Sequence, residues 1–287
     1  TLTAFTSDGF SLGVDASGYG VNYDNKNEVA WNWKANGQGS SNTDGSINTT
    51  YTSANTTSGF SISQYGGNGT QFATVGHGLG VAPNVIMIKN LTGTTGWIVY
   101  HDKAGLTGST LDGEAEYKML SLNTTDAASD NGSDCIWGST STRYKIDATG
   151  TASYLNSSGS NYIAYCFAEK TGYSKFGSYT GNGNVDGSFI YTNGMKPAFV
   201  MVKKTSASGD NWSILDNKRN TFNVMDKYLD PNSSNAEGTA DICDFTSNGF
   251  KMRNTFTGYN ASGETYIFMA FAEEPLVSSN GVPATAR

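Results

Sequence analysis

Charged residues, proline, cysteine and histidine are all scarce in this sequence, and the shortage of charge excludes whole classes of partner. Charged side chains make up 15% of the 287 residues, against roughly 25% in an ordinary domain, and the net charge is −7. Nucleic-acid affinity comes chiefly from Lys and Arg, so the acidic balance and the lack of a basic patch argue against a nucleic-acid partner. No apolar run approaches the ~20 residues of a membrane-spanning helix, and we expect no membrane insertion.

Three cysteines and two histidines leave little basis for a disulfide framework or a metal site. We expect Cys135, Cys166 and Cys243 to be free buried thiols, since Cys166 lies in an apolar run and the other two hold nearly equivalent places in a repeat. We interpret His77 and His101 as surface or turn residues, because no Cys or carboxylate stands at ligand spacing around them. The sequence therefore predicts no cofactor and no metal.

The common catalytic motifs are also missing. No GxSxG, HExxH or phosphate-loop pattern is present. A glycosidase needs two carboxyl groups held at a fixed separation across a sugar, whereas the carboxylates here cluster loosely in polar segments typical of solvated turns. They are Asp126, Asp130, Asp134, Asp241 and Asp244. We therefore expect a protein that is not an enzyme.

Glycine and aromatic residues are abundant instead. The chain has 35 Gly, 16 Tyr, 14 Phe and 5 Trp. With Ser, Thr and Asn filling much of the remainder, this composition is typical of many short strands joined by Gly and Asn turns. Aromatic side chains bury large areas each, so a unit of about 100 residues can close a core.

A short apolar run occurs three times and indicates a repeated unit. It reads EVAWNWKA at 28–35, YIAYCFAE at 162–169 and YIFMAFAE at 266–273. Each copy lacks Pro and Gly, which predicts a strand buried on both faces.

Other matching segments keep the same spacing across the two complete copies. SGFSISQYGGNG at 58–69 matches SKFGSYTGNG at 174–183, and Trp97 and Trp212 stand 115 residues apart. A period of this length is too long for a solenoid rung of ~20–50 residues and fits a small domain of ~100–150. The sequence therefore predicts tandem domains.

The repeats divide the chain into three predicted segments. Residues 1–57 are a partial repeat, the last third of a unit, followed by a linker rich in Gly, Ser, Thr and Asn; residues 58–171 and 172–287 are two full repeats. The strand pattern predicts an all-β fold of tandem β-sandwich domains, of jelly-roll or lectin-like type. The partial unit cannot bury its own sheet face, so we expect it to pair with the following unit or with a preceding segment.

Strands are predicted from apolar and aromatic runs between turn signals. In the first full repeat they are 60–65, 71–75, 85–89, 97–101, 117–122, 143–146 and 162–169. In the second they are 176–179, 189–192, 199–203, 212–215, 242–245, 250–253 and 266–273. The polar stretch 217–236 is expected to hold one helical turn.

A tyrosine precedes each copy of the apolar run, within a polar loop. Tyr19, Tyr154 and Tyr259 stand 14, 13 and 12 residues before the core aromatic of their copies. An exposed tyrosine can stack on a sugar or a protein partner while its hydroxyl stays hydrogen-bonded, so these three are the candidate binding residues. The alternative is that each ring fastens its own loop to the sandwich.

Several segments together resemble a known repeat family. They are TSDGFSLG at 6–13, VGHGLGVAPNVIMIKN at 75–90, YIAYCFAEKTGYSKFGSYTGNG at 162–183 and FMAFAEEPL at 268–276, with a closing ATAR. The resemblance covers nearly the whole chain. It is to the C-terminal repeats of tail-fibre-like virion structural proteins of marine tailed phages, where such repeats follow an SPRY-like or lectin-like β-domain.

The resemblance implies a location and a role. It implies a non-enzymatic bacteriophage protein on the virion surface, extracellular, in a tail fibre or appendage, with Arg287 as the natural C-terminus. It further implies a homo-oligomer, expected to be a trimer, in contact with other virion proteins and with a host cell-surface glycan or protein. It supplies no catalytic residues. Two alternatives stay open: a tailspike-type polysaccharide-degrading enzyme, and a bacterial extracellular adhesin or carbohydrate-binding module.

Overall fold

A computed structural model gives the fold and describes residues 2–6, 9–14, 21–111, 114–130, 135–146 and 154–273. Within these ranges the chain forms strands and turns and no helix, and every pair of neighbouring strands is antiparallel. The all-β prediction is confirmed. It follows that the described residues hold no helix that is long and apolar enough to cross a membrane. The chain divides into two compact units, Thr1–Lys34 and Ala35–Arg287.

In the first unit, β1 (Leu2–Phe5) and β2 (Phe10–Leu12) pair as a hairpin. Phe5 is 79% exposed, as expected of part of a sheet. Residues 28–35, predicted to be a strand, form none, and their side chains alternate between exposed and half-buried. That prediction is wrong because a buried strand needs hydrogen-bonded neighbours, and no described strand pairs with this segment.

The second unit begins with the strands of the first full repeat. They are β3 (Thr49–Asn55), β4 (Phe60–Gly66), β5 (Ala73–Gly76), β6 (Val85–Asn90), β7 (Trp97–His101), β8 (Leu106–Leu111), β9 (Glu114–Tyr117), β10 (Met119–Ser121), β11 (Ile136–Ser139), β12 (Arg143–Ile146) and β13 (Asn161–Phe167). Six form one sheet in the order β10-β7-β6-β13-β4-β3, and three form another in the order β11-β12-β5. Ile86 and Ile88 of the larger sheet share a core with Tyr144 and Ile146 of the smaller one. The two sheets therefore pack as a β-sandwich.

The second repeat contributes eight more strands. They are β14 (Ser174–Thr180), β15 (Phe189–Tyr191), β16 (Pro197–Lys204), β17 (Ser213–Asp216), β18 (Met225–Tyr228), β19 (Gly238–Thr246), β20 (Gly249–Met252) and β21 (Thr265–Ala272). They form two four-stranded sheets, β14-β21-β16-β17 and β15-β20-β19-β18. Val200 and Phe268 of one sheet share a core with Phe250 and Met252 of the other.

The two repeats have the same strand order. The series β4, β13, β6, β7 in the first corresponds to β14, β21, β16, β17 in the second, and β5, β12, β11 corresponds to β15, β20, β19. The strands predicted within the two full repeats are confirmed apart from shifts at their ends. The sequence missed the hairpin β8–β9 and the strands β11 and β18, the last of which lies where a helical turn was expected. The boundaries at 57/58 and 171/172 stay a prediction.

The predicted linker is partly structured. Within residues 36–57, β3 pairs along its length with β4 at the edge of the large sheet, and Ile47 is buried and bridges to Val75. The linker interpretation is corrected for this segment, because Thr and Tyr favour strands even where the overall composition is polar.

The two repeats pack closely on each other within the second unit. The ring of Phe167 lies 6.1 Å from that of Phe271, and Trp212 donates its indole N–H to the carbonyl of Ser121 at 2.9 Å. This packing explains why β21 is buried on both faces, as predicted. The side chains of β13 alternate instead between buried and half-buried.

Candidate binding pocket

The three tyrosines predicted to bind a partner do not share one environment. Tyr154 is 40% exposed, whereas Tyr259 is only 7% exposed. The hydroxyl of Tyr259 donates to Ser213 Oγ at 2.9 Å, and its ring packs edge-on against Tyr228. The expectation of an exposed Tyr259 is therefore wrong, because this side chain packs its own loop. Tyr19 lies outside the described residues.

A one-residue offset between the repeats explains the error. Tyr65 donates its hydroxyl to the carbonyl of Leu155 at 2.8 Å, and Tyr179 makes the equivalent bond to the carbonyl of Tyr259 at 2.7 Å. The counterpart of Tyr259 is therefore the fully buried Leu155, and Tyr154 precedes that position by one residue. Spacings of 13 and 12 residues concealed this offset.

Both histidines are buried, which corrects the expectation of surface or turn residues. His77 is 0% exposed and His101 is 1% exposed. In each, Nδ1 accepts a backbone N–H two residues further on and Nε2 faces a carbonyl oxygen. Burial lowers the pKa of both, that of His101 to about 4. No group of three or more His, Cys, Asp or Glu within the described ranges could hold a metal ion.

The three cysteines are buried and form no disulfide, as predicted. Among the loosely clustered carboxylates, Asp241 and Asp244 lie within β19, so neither is a turn residue, and Asp244 pairs with Arg253. Asp134 lies outside the described residues.

A cavity of about 510 Å³ opens on the first repeat, beyond the end of β7 and beside the smaller sheet. Tyr100, Tyr117 and Trp137 supply its aromatic lining. The rings of Tyr100 and Tyr117 meet edge-on at 5.1 Å, and Trp137 packs edge-on against Phe72 at 5.4 Å. Each ring is thus fixed by another, which gives the cavity rigid walls.

A β-bulge places Trp137 in this wall. Ile136 pairs with Ile146 and Ser139 with Tyr144, so β11 has one residue more than β12 across this interval. Gly138 has φ +112°, a conformation that glycine adopts without strain. Such a bulge bends its strand and changes the direction of a side chain.

Two buried polar atoms in the lining have no hydrogen-bond partner in the described part of the chain. They are the indole Nε1 of Trp137 and Oδ1 of Asp102. The other carboxylate oxygen of Asp102 accepts from Asn84 Nδ2 and Lys103 Nζ, each at 2.9 Å. Oδ1 lies 3.5 Å from His101 Nδ1, but that nitrogen already accepts the N–H of Lys103. An unsatisfied donor and an unsatisfied acceptor therefore belong to two residues that line one cavity.

Two cationic side chains line the same cavity from β12. Arg143 is exposed, and Nη1 donates to the backbone carbonyl of Asp44 at 3.3 Å. Lys145 is half-buried, and Nζ lies 5.3 Å from the centre of the Phe72 ring. Ser139 and Thr140 supply hydroxyls. The cavity combines aromatic faces, hydroxyls, one carboxylate and two positive charges.

The second repeat has a cavity of about 370 Å³ at the corresponding place. Val85 pairs with His101 as Phe199 pairs with Asp216, so Asn217 is the counterpart of Asp102. The Oδ1 atom of Asn217 is likewise buried and unpartnered in the described residues.

The walls of the second cavity differ from those of the first. By strand register, Leu215 stands in place of Tyr100 and Asp244 in place of Trp137. The β19–β20 ladder runs from Cys243 to Thr246 without a bulge. The fold therefore repeats the cavity with different aromatic side chains, since Phe222 and Phe245 line the second one.

Fold and site together define an antiparallel β-sandwich protein with a polar, aromatic-lined surface cavity. The chain belongs to the family described as a domain of unknown function (DUF7483), whose profile matches residues 1–275. The comparisons with curated proteins and with solved structures give no match.

Proposed function

We infer that the protein is a non-enzymatic component of a phage virion surface, in a tail fibre or appendage, and that it presents a binding surface to the host cell. The motifs at 6–13, 75–90, 162–183 and 268–276 support the virion assignment through their resemblance to tail-fibre-like repeats. The ligand is a host glycan or surface protein. The protein is extracellular, and it contacts other virion proteins and copies of itself.

One observation carries the binding role. Two sandwiches with the same strand order each have a cavity at the same place. A chain with one cavity in each sandwich presents several sites at once, and an oligomer multiplies them, so weak contacts add together. That arrangement suits attachment to a surface with many copies of a ligand.

The enzyme alternative has less support. Among the described residues that line the larger cavity, Asp102 is the one carboxylate, whereas glycoside hydrolysis by the common mechanism uses two. New reducing ends after incubation with host capsular polysaccharide would favour the tailspike enzyme over the present proposal.

Labelling of intact virions tests the assignment. Antibodies against residues 58–171, imaged with gold particles by electron microscopy, are expected to label a tail fibre or appendage. Adsorption of phage to host cells should fall when purified protein is added first. A virion without label would overturn the proposal. Static light scattering is expected to give the mass of a trimer, three times the 30.4 kDa of the chain.

A further inference from the structure

We propose that the cavity of the first repeat, lined by Tyr100, Asp102, Trp137, Arg143 and Lys145, binds a saccharide that carries a carboxylate, such as a uronic acid residue. This ligand class deepens the proposed function and rests on it for the setting, a host surface that displays such sugars. The binding itself is a property of the chain and is testable on the purified protein.

The unpaired atoms of the cavity suit a sugar hydroxyl. Trp Nε1–H is a donor only, and a carboxylate oxygen is an acceptor only. Buried polar atoms without partners are costly, and a buried Trp N–H usually finds a partner. A hydroxyl both donates and accepts, so a sugar hydroxyl can pair with an indole N–H or with a carboxylate oxygen. The C–H face of the same ring can pack on the aromatic walls.

The second repeat indicates that these features are not demanded by the fold. Its β19–β20 ladder closes without a bulge, and Leu215 and Asp244 stand where the first repeat has Tyr100 and Trp137. A bulge is a built feature, frequent beside binding and active sites. At this place the first repeat therefore carries a bulge and an unpaired indole N–H that its sister sandwich folds without.

The charge of the cavity selects among sugars. Arg143 and Lys145 line a cavity in a chain whose net charge is −7. The carboxylate of Asp102 is paired with Lys103, and Arg143 adds an exposed positive charge to the lining. A planar guanidinium pairs with a carboxylate through two parallel hydrogen bonds. A uronic acid offers that carboxylate on the same ring as its hydroxyls.

Calorimetric titration with tri-galacturonic acid tests the proposal. The whole purified chain is titrated with this acidic trisaccharide and, separately, with the neutral trisaccharide maltotriose. Saturable binding of the acidic sugar is expected, with a dissociation constant below about 1 mM, and at least about tenfold weaker binding of the neutral sugar. Binding of the acidic sugar should weaken as salt is added, since ions screen exposed charges.

Variants locate the site. Arg143→Ala changes an exposed residue, and it should weaken binding of tri-galacturonic acid about tenfold. Lys145→Gln should act in the same direction. The matched control is Lys251→Gln, because Lys251 holds the same position in β20 of the second repeat, where it pairs with Asp186. The affinity of this variant for tri-galacturonic acid should stay within about twofold of the wild type. Trp137→Phe keeps a ring but removes the N–H, and should weaken both sugars alike.

The outcomes separate this inference from the proposed function. No saturable binding of tri-galacturonic acid, or equal losses in Lys145→Gln and Lys251→Gln, would overturn the cavity as a sugar site even if virions are labelled. Equal affinity for maltotriose would overturn the acidic class. Sugar binding by a chain that is absent from virions would instead overturn the virion assignment and leave the site in place.

Discussion

Single buried polar side chains hold the loops of this protein onto its sandwiches. Asn260 is fully buried, and its carboxamide donates to Asn182 Oδ1, to the carbonyl of Asn184 and to that of Asn254. Asn156 makes the corresponding bonds to Asn68 Oδ1 and the carbonyl of Thr70. Several of these bonds pair backbone carbonyls that the loops would otherwise leave unpaired, so these two loop residues contribute to stability.

The two loop tyrosines should differ in their effect on stability. Tyr259→Ala removes a buried ring and the partner of Ser213 Oγ, and should lower the free energy of unfolding by about 3–5 kcal/mol. Tyr154→Ala changes a side chain that is 40% exposed, and should cost less than about 1 kcal/mol. Urea unfolding midpoints measure both. Equal losses would mean that Tyr154 packs its loop as Tyr259 does.

His101 should make stability depend on pH. Burial lowers its pKa from 6.5 to about 4, against opposing contributions from Asp102 and the carbonyl of Phe268, while Lys103 lowers it further. In the unfolded chain the imidazole of His101 is protonated near pH 6.5, whereas in the folded chain it is protonated only near pH 4. The contribution of His101 to the free energy of unfolding is therefore complete above about pH 6.5. It decreases as the pH is lowered from about 6.5 to about 4, by up to about 3 kcal/mol.

The comparison of wild type with His101→Gln isolates this contribution. Other carboxylates titrate in both proteins, so their effects largely cancel in the difference. Urea unfolding near neutral pH and at about pH 4.5 should show a smaller decrease for the variant. Parallel decreases in the two proteins would contradict a low pKa for His101.

At the scale of the element, the bulge in β11 distinguishes the first sandwich from the second. One extra residue between Ile136 and Ser139 leaves Gly138 at φ +112° and Trp137 in the cavity wall. The hairpin β8–β9 supplies Tyr117, which meets the ring of Tyr100. The aromatic wall of the cavity is therefore built by two features that are added to the strand order shared by the repeats, the bulge in β11 and the hairpin β8–β9.

Gly138→Ala should destabilise the protein through its backbone. A Cβ at this position would meet Tyr117 only at an ordinary contact distance of 3.6 Å, so steric overlap is not the cause. The cause is the positive φ at this position, which alanine adopts only with strain, and it should lower the free energy of unfolding by about 1–3 kcal/mol. Gly66→Ala is the control, because Gly66 has no positive φ and open space around it. Circular dichroism melts of both variants measure the difference, and equal melting temperatures would contradict a strained bulge.

The strands were more predictable than the cavity. Segments such as 85–89 and 199–203 are continuous apolar runs, which indicate central strands without reference to any partner. The hairpin β8–β9 and strand β18 lack such runs, so no apolar pattern indicates these strands, even though each pairs with a strand near it along the chain. The cavity depends on a one-residue bulge, and its lining comes from residues 74–145. No pattern within one segment encodes that juxtaposition.

At the scale of the molecule, the two repeats form one compact unit joined by hydrogen bonds as well as by aromatic packing. Lys203 is fully buried and donates to the carbonyl of Thr125 at 3.1 Å. The N–H of Gly209 donates to the same carbonyl group, and Nε2 of His101 faces the carbonyl of Phe268. A polar group that stays buried after it loses its partner is costly, so these hydrogen bonds couple the two repeats. The repeats should therefore behave as one cooperative unit.

Trp212→Ala tests that cooperativity. Trp212 is 2% exposed and bonds from the second repeat to the carbonyl of Ser121 in the first. Its removal should lower the free energy of unfolding by about 3–5 kcal/mol. Because the repeats share the interface, amide hydrogen exchange measured by mass spectrometry should accelerate together in peptides from 60–66 and 174–180. Tyr191→Ala is the control, since Tyr191 is 56% exposed on the second repeat and its loss should leave both peptides unchanged. Faster exchange confined to 174–180 in the Trp212 variant would mean that the sandwiches unfold independently.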